Sequence, residues 1–285
     1  MKKIIILSIS LVFAVGSLRA QESATPTKGK DFSEMLPKAG DFALGMDMAN
    51  FITTFNNSIT NAGTGNATQA FQSDVFGRYF LANQNSVRFR LGFDLNNSTN
   101  RTFVRDDAAN LLDPLAGNNP ITELKTVDEL KTKMTTTELG IGYEFRRSLR
   151  RVQGYAGGEL FLGFTQNKKT YEYGNLMTAA NQTPTTAPSM LAGTAYGYRF
   201  LESVGGNTFT VGAAAIVGAD FFISRNVSIG AEFVFEGRHN RTSERSMLTE
   251  TWLLNEVYNA EILEKPVTTS FTVTPTARLS LCVYF

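Results

Sequence analysis

Strict alternation of apolar and polar residues is the feature that most constrains this chain. The clearest case runs from Val87 to Leu95, where five apolar residues alternate with Arg88, Arg90, Gly92 and Asp94. Successive side chains of a β-strand point to opposite faces, so this segment predicts a strand with one apolar face and one charged face. Similar segments occur at 41–48, 70–81, 138–145, 159–164, 208–221, 227–236 and 271–285.

The connections indicate which kind of β-protein these strands build. Three are short (82–86, 147–150 and 224–226) and four are long (56–69, 98–132, 167–206 and 240–266), and short and long alternate strictly. Transmembrane barrels have short periplasmic turns and long extracellular loops, whereas a soluble sandwich has no reason to sort its loops in this way. We therefore predict an all-β fold, an antiparallel up-and-down transmembrane β-barrel of eight strands. The apolar segment 246–263 leaves ten strands as the alternative.

The N-terminal residues resemble a secretory signal. Lys2 and Lys3 precede an apolar run at 4–18, and cleavage is expected after Ala20. The alternative, a membrane anchor, is disfavoured because the run is shorter than the roughly 20 residues of a membrane span. We expect a signal peptide at 1–20, a periplasmic lead-in at 21–39 and the barrel domain at 40–285. The single Cys282 cannot form an internal disulfide, and a net charge of +1 without a basic stripe argues against nucleic-acid binding.

Aromatic residues cluster where the strands meet the short turns. They are Phe80, Tyr143, Phe145, Phe221, Phe222, Tyr284 and Phe285. Their position predicts an aromatic girdle at the membrane interface. The alternative is that strands are simply rich in aromatic residues.

The C-terminal strand carries a resemblance to a known class of proteins. The chain ends Leu279-Ser-Leu-Cys-Val-Tyr-Phe285, which resembles the signal by which the barrel-assembly machinery recognises outer-membrane proteins, with Phe285 as the assembly signal. With the signal peptide and strand plan, the chain resembles the small outer-membrane barrels of Gram-negative bacteria, of the OmpA/OmpX type. Residues 36–47 also resemble the opening strand of barrels from Gram-negative anaerobes. The chain departs from the smallest barrels in its longer loops, and we expect no peptidoglycan-binding domain after the last strand.

Charged residues occupy the face predicted to line the lumen. They are Asp47, Asp74, Arg78, Arg88, Arg90, Asp94, Glu138, Glu144, Glu159, Asp220, Glu232 and Arg278. Unpaired buried charges are very costly, so charges in a narrow lumen must pair with one another. One interpretation is a plug of ion pairs that holds the barrel rigid, since an eight-stranded interior is only just wide enough for side chains. The other is a narrow path for ions or small solutes.

Other candidate chemistry is sparse. His239, with Ser243 and Glu244 nearby, suggests a surface hydrolase acting on lipid, against the simpler interpretation of an interfacial histidine. Asp106, Asp107 and Asp113 suggest a Ca²⁺ site, although their spacing lacks the EF-hand pattern and a solvated acidic loop is favoured. We predict no catalytic residues, no metal site and no cofactor.

The long loops are expected to carry the specificity of the protein. The segment 246–263 is very apolar for a loop and predicts self-packing or a partner surface, residues 128–134 could extend a strand or form a helical turn, and 178–189 predicts a mobile loop. The expected function is structural or interaction through the extracellular loops. A porin-like channel is the first alternative and a lipid hydrolase the second. Expected partners are outer-membrane lipid, the assembly machinery and an extracellular ligand or host surface.

Overall fold

A computed structural model describes residues 35–48, 52, 67–112, 123–190 and 198–285, with only the backbone of 67–72. The predicted signal peptide, most of the lead-in, most of the loop at 56–69 and Asp113 lie outside these residues. The strands are β1 (Phe42–Asp47), β2 (Ala67–Ala82), β3 (Asn85–Arg105), β4 (Lys125–Leu149), β5 (Val152–Glu172), β6 (Tyr198–Gly205), β7 (Thr208–Ser224), β8 (Val227–Thr242), β9 (Arg245–Leu253), β10 (Glu256–Lys265) and β11 (Thr268–Tyr284).

Helical structure is minor in the described residues. Helix α1 spans Asp107–Leu112, and one turn of 3-10 helix spans Pro188–Met190. None of the described helices has the length and apolar character needed to cross a bilayer.

Eight of the strands close into an antiparallel barrel. The order around the ring is β1, β2, β3, β4, β5, β7, β8 and β11, with β11 pairing back onto β1. The predicted fold and the strand count of eight are confirmed. The segment 246–263 adds no strands to the ring, because β9 pairs with β6, outside the ring, and β10 pairs with β9.

The alternation that predicted the strands separates the two surfaces of the barrel. Along β8 buried and exposed residues alternate from Val227 to Glu236. Small inward residues make room for large ones: a Cβ on Gly45 would collide with the Phe76 ring, and one on Gly218 would lie 2.6 Å from Tyr155. The lumen is therefore filled by a few large side chains that lie over glycines of neighbouring strands.

The short turns lie at one end of the barrel, as predicted. Each has two residues outside the strands: Asn83–Gln84, Arg150–Arg151 and Arg225–Asn226. The long connections lie at the other end, and much of their length is strand rather than loop. β3 and β4 pair from Asn85 and Phe145 out to Arg105 and Lys125. At about 3.3 Å per residue, β3 is about 70 Å long, more than twice the hydrocarbon thickness of a bilayer.

Beyond the barrel rim, the strands continue into what we call the outer module. It consists of the outer halves of β3, β4 and β5, helix α1, residues 173–190, and β6, β9 and β10. β6 and β7 pair with β5 in nearly one register (Lys169 with Ser203, Thr165 with Thr208), so β7 continues the line of β6. β9 continues the line of β8 in the same way, and this second line pairs with the line of β7 and β6. β10 and β11 form a third line, which pairs with the line of β9 and β8.

The predicted aromatic girdle is partly wrong. Phe80, Phe222 and Tyr284 point inward and form a buried cluster with Ala43 and Cys282 at the short-turn end. The reason is parity: Phe80 lies two residues after the inward Arg78, so both share the lumen face. Four predicted members remain exposed, namely Tyr143, Phe145, Phe221 and Phe285.

Candidate functional site

The deepest charged residues of the lumen form a balanced cluster, which we call the lower ion-pair layer. It contains three arginines and three carboxylates, Arg78, Arg88, Arg146, Glu144, Asp220 and Glu232, all buried. They come from β2, β3, β4, β7 and β8, so the cluster joins strands on opposite sides of the ring. Equal numbers of opposite charges let every ion be compensated without solvent.

Arginine geometry determines the contacts of this layer. Arg88 binds Glu232 with two hydrogen bonds, 2.7 Å from Nη1 to Oε2 and 2.9 Å from Nη2 to Oε1. Arg78 contacts Glu144 at 3.2 Å and Asp220 at 3.0 Å, and Arg146 bridges the same two carboxylates. A guanidinium presents several donors in a fixed plane, so each arginine connects two or more acids.

Aromatic rings complete the packing around the arginines. The Arg78 guanidinium carbon lies 4.7 Å from the Phe76 ring centroid and 4.6 Å from that of Tyr155. The Tyr155 hydroxyl donates to Glu232 at 3.0 Å, and Arg146 lies 5.2 Å from the Phe80 ring. Cation–π contact stabilises desolvated guanidinium groups, so the rings fill space and compensate charge together.

A second cluster, the upper ion-pair layer, lies nearer the long-loop end. It contains Arg90, Arg238, Arg278, Asp74, Glu138, Glu159 and Glu236. Arg90 contacts Glu159 at 2.5 Å and Glu138 at 3.1 Å, and Arg278 contacts Glu236 at 2.9 Å. Glu159 also lies 3.3 Å from Arg88, which links the two layers.

A polar cavity of 600 Å³ lies on the upper layer. Asp47 and Asp94 line it, together with a set of hydroxyl and amide side chains: Thr136, Thr165, Thr208, Thr210, Asn240, Thr274 and Thr276. In the described part of the chain, no arginine or lysine forms an ion pair with Asp94. The cavity therefore combines hydrogen-bonding groups with net negative charge.

Ten of the twelve predicted lumen charges belong to the two ion-pair layers, and Asp47 and Asp94 line the cavity. Sequence reasoning missed Arg146, Glu236 and Arg238. Parity was the available signal, since Arg146 is two residues after Glu144, and Glu236 and Arg238 follow Glu232 at even spacing. Arg146 and Arg238 both lie just past the predicted ends of their strands, at 145 and 236.

The residues considered for hydrolase chemistry do not come together. His239 is exposed on the outer face of β8, opposite Phe271. The Ser243 hydroxyl accepts a hydrogen bond from the Asn207 amide at 3.0 Å and lies 3.4 Å from the Glu244 carbonyl oxygen. Among the hydrogen bonds of the described residues, none joins His239 to Ser243 or Glu244.

The acidic loop residues support local structure. Asp106 accepts a hydrogen bond from the Ala109 amide at the start of α1. Burial raises the pKa of Asp107, but Thr185 and Asn181 donate hydrogen bonds to its carboxylate, and the net effect lowers its pKa below the ordinary value. Within the described ranges, no group of three acidic, histidine or cysteine side chains could hold a metal ion.

The prediction of a mobile loop at 178–189 is wrong. Asp128 is fully buried and accepts hydrogen bonds from the Gly174 amide at 2.9 Å and the Ala187 amide at 2.8 Å. Ala187 and Met190 also belong to a buried apolar cluster with Val104, Tyr171 and Met247. The loop is held because buried polar and apolar contacts from four strands fix both its ends.

The tip of the β9–β10 hairpin is exposed, apolar and conformationally unusual. Leu254 has a φ of +50° and Asn255 a φ of +69°, and the Leu254 side chain is 88% exposed. Leu253 and Tyr258 beside the tip are also exposed. Leucine in left-handed backbone is uncommon, and asparagine or glycine is the usual residue there.

Comparisons with known proteins agree with the barrel. The model of the putative OmpA-OmpF-like porin family matches residues 60–268. A comparison with curated protein sequences gave no significant match. Solved structures that align include the outer membrane protein OprG from Pseudomonas aeruginosa (11% identity, 88% of this chain, 98% of that chain, TM-score 0.32). A second is Ail, the attachment invasion locus protein of Yersinia pestis (10% identity, 86% of this chain, 99% of that chain, TM-score 0.30). A third is a major outer membrane protein from Thermus thermophilus (11% identity, 87% of this chain, 100% of that chain, TM-score 0.36).

Proposed function

The chain belongs to the putative OmpA-OmpF-like porin family as a multi-pass β-barrel of the bacterial outer membrane, and from this premise we propose that it is a non-conducting anchor for a contact surface. The barrel holds the outer module above the membrane, and the tip of the β9–β10 hairpin contacts an extracellular ligand or host surface. The short turns of such barrels face the periplasm, so the outer module faces outward.

The lower ion-pair layer is the observation that carries the non-conducting part of the proposal. Arg78, Arg88 and Arg146 are among the largest fully buried side chains of the described residues. A conducting pore needs a continuous column of water, and water in such a column would leave these side chains partly exposed. An ion would also have to break contacts among compensated charges, which is strongly unfavourable in a desolvated interior.

The hairpin tip supports the contact part of the proposal. Backbone strain and exposed apolar side chains persist in proteins mainly where a function requires them. Leu254 combines both features, and the surrounding outer module is held by buried contacts such as those of Asp128. A rigid scaffold that presents apolar residues loses little entropy on binding.

Planar-bilayer recordings test the non-conducting barrel. We expect no stable open current from the purified protein. A double variant, Arg78→Ser with Arg146→Ser, removes two of the three arginines of the lower ion-pair layer. We expect this variant to conduct ions, and its current is compared with that of the unmodified protein. Steady single-channel current from the unmodified protein would refute the proposal.

Adhesion of cells that display the protein to a cultured epithelial monolayer tests the contact surface. The variant Leu253→Ser with Leu254→Ser should lower the bound fraction. Leu111→Ser, in the exposed helix α1, is the matched control and should leave adhesion unchanged. Equal adhesion of the tip variant and the unmodified protein would remove the tip from the proposal.

A narrow channel is the second candidate, and the 600 Å³ cavity favours it because polar side chains line open space down to the upper ion-pair layer. Swelling of liposomes that contain the protein in a small sugar such as arabinose would support this candidate. Swelling at the rate of empty liposomes would exclude it for that solute.

A further inference from the structure

A cationic side chain on the outer face of the barrel lacks an ion-pair partner among the described residues. Arg147 follows Tyr143 and Phe145 on the outward face of β4, next to the periplasmic turn, and is exposed. In the described part of the chain no carboxylate pairs with it, and Gly154 lies opposite it on β5. Arg150, in the same turn, is also exposed. The two guanidinium groups lie beyond an exposed aromatic pair, where lipid head groups meet a barrel.

An apolar groove of 540 Å³ lies on the same face, further toward the membrane centre. Ile141, Tyr143 and Leu160 form one side of it, and Gly158 and Ala213 form its floor. Ala215 pairs with Gly158 and continues the row of small outward residues across β7. The groove exists because large side chains on β4, together with Leu160 on β5, stand beside the small residues of β5 and β7.

The spacing between the arginine and the groove fits one lipid molecule. Arg147 and Ile141 are six residues apart on β4, about 20 Å along the strand at about 3.3 Å per residue. With a strand tilt of about 40°, this is a rise of about 15 Å, half of the roughly 30 Å hydrocarbon core. An acyl chain that starts near Arg147 therefore reaches the groove within one leaflet.

We propose that Arg147, Arg150 and this groove form a binding site for one anionic phospholipid of the periplasmic leaflet. The phosphate accepts hydrogen bonds from the two guanidinium groups, which match phosphate geometry well. One acyl chain lies over Gly158 and Ala213, between Tyr143 and the aromatic side chains of β8. Charge complementarity favours an anionic lipid over a second copy of the chain as the occupant. A second copy would bring another Arg147 to the same face, and the two positive charges would repel each other.

Native mass spectrometry of the full chain, released from detergent with equal amounts of two lipids, tests the head-group part. The probes are phosphatidylglycerol and phosphatidylcholine with identical long acyl chains. We expect phosphatidylglycerol to be retained about tenfold more often, which corresponds to about 1.4 kcal/mol. Arg147→Gln with Arg150→Gln should abolish this preference. Arg101→Gln, which removes a positive charge in the outer module, should preserve it.

The groove is tested by filling it. Ala215→Phe should lower the retention of long-chain phosphatidylglycerol but not that of the dihexanoyl form, whose chains are too short to reach the groove. Val273→Phe, an outward position on β11, is the control. Heat-modifiable migration on gels verifies that each variant is folded.

Three results would overturn the site. They are equal retention of the two lipids by the unmodified protein, a preference that survives loss of both arginines, and a change of oligomeric mass in Ala215→Phe with lipid retention unchanged. The last result would assign the face to contact between copies of the chain.

Discussion

Removing Arg88 is expected to destabilise the barrel far more than removing an exposed arginine. The side chain is buried and contacts Glu232, Glu144 and Glu159. In Arg88→Met, Glu144 keeps two other arginines and Glu159 keeps Arg90. Glu232 loses both of its short hydrogen bonds to a guanidinium.

Glu232 therefore determines the magnitude of the effect. It retains the Tyr155 hydroxyl at 3.0 Å, while Arg78 and Arg278 lie 3.8 and 3.7 Å away. Removing one partner of a buried ion pair costs about 3–5 kcal/mol. We expect a loss of this size in the free energy of unfolding. The double variant Arg88→Met with Glu232→Met should recover most of it, because an apolar pair of similar volume needs no compensation.

Urea unfolding in lipid vesicles, followed by far-ultraviolet circular dichroism, measures these free energies. The matched control is Arg101→Met, which breaks the exposed pair with Glu129 and should cause a much smaller loss. The reasoning fails if Arg88→Met is no less stable than Arg101→Met. It also fails if the double variant is as unstable as the single one, since removing the unpaired Glu232 carboxylate would then relieve nothing.

Three further predictions concern the outer module. Leu254→Asn should stabilise the hairpin tip by about 1 kcal/mol, because asparagine tolerates left-handed backbone. Hydrogen exchange of the β9 and β10 amides measures this gain, and unchanged protection would mean that the turn is unstrained. Asp128→Ala leaves the buried amide of Ala187 and the more exposed amide of Gly174 without acceptors, at about 1–3 kcal/mol for the buried one, so proteolysis within 173–190 should accelerate, whereas Glu123→Ala should not change it. Because the pKa of Asp107 is lowered, the stability that its carboxylate gives to the folded state is complete above the ordinary aspartate pKa. This stability is lost as the pH falls through the lowered pKa. Exchange of the Thr185 amide should follow this acid transition in the unmodified protein and lack it in Asp107→Asn.

The barrel could be predicted from sequence because its two surfaces meet different environments. Lipid on one side and a charged lumen on the other impose alternation on every membrane-crossing strand, as in β8. The short turns were recognisable because a two-residue connection leaves few alternatives. Strand pairing then follows from chain order in an up-and-down barrel.

The outer module could not be predicted in the same way. Beyond the rim both faces of β4 meet water or protein: in 125–136 the lysines and Glu129 share one face, threonines mix with Leu130 and Met134 on the other, and neither face is apolar throughout. β10 carries apolar and charged residues on both faces, and alternation is equally absent. Segments without two distinct environments lose the signal on which strand prediction depends.

The charged character of the lumen was predicted from the sequence, but the balance of positive and negative charge was not. The twelve predicted charges contain eight carboxylates and only four arginines, and Arg146 and Arg238 supply part of the missing cation. Phe80 and Phe222 were assigned outward because of their position near the short turns, although parity placed them inside. Following parity to the ends of each strand would have found all four residues.

The three continuous lines of strand across the rim also have a mechanical consequence. Hydrogen bonds of an antiparallel ladder lie perpendicular to the strands. A pulling force applied at Leu254 therefore runs along β9 into β8 and along β10 into β11, and it shears many hydrogen bonds at once instead of opening them one by one. The tip of the hairpin and the membrane-embedded wall thus form a single tension-bearing element, and a load on the surface of the cell is carried by the whole barrel.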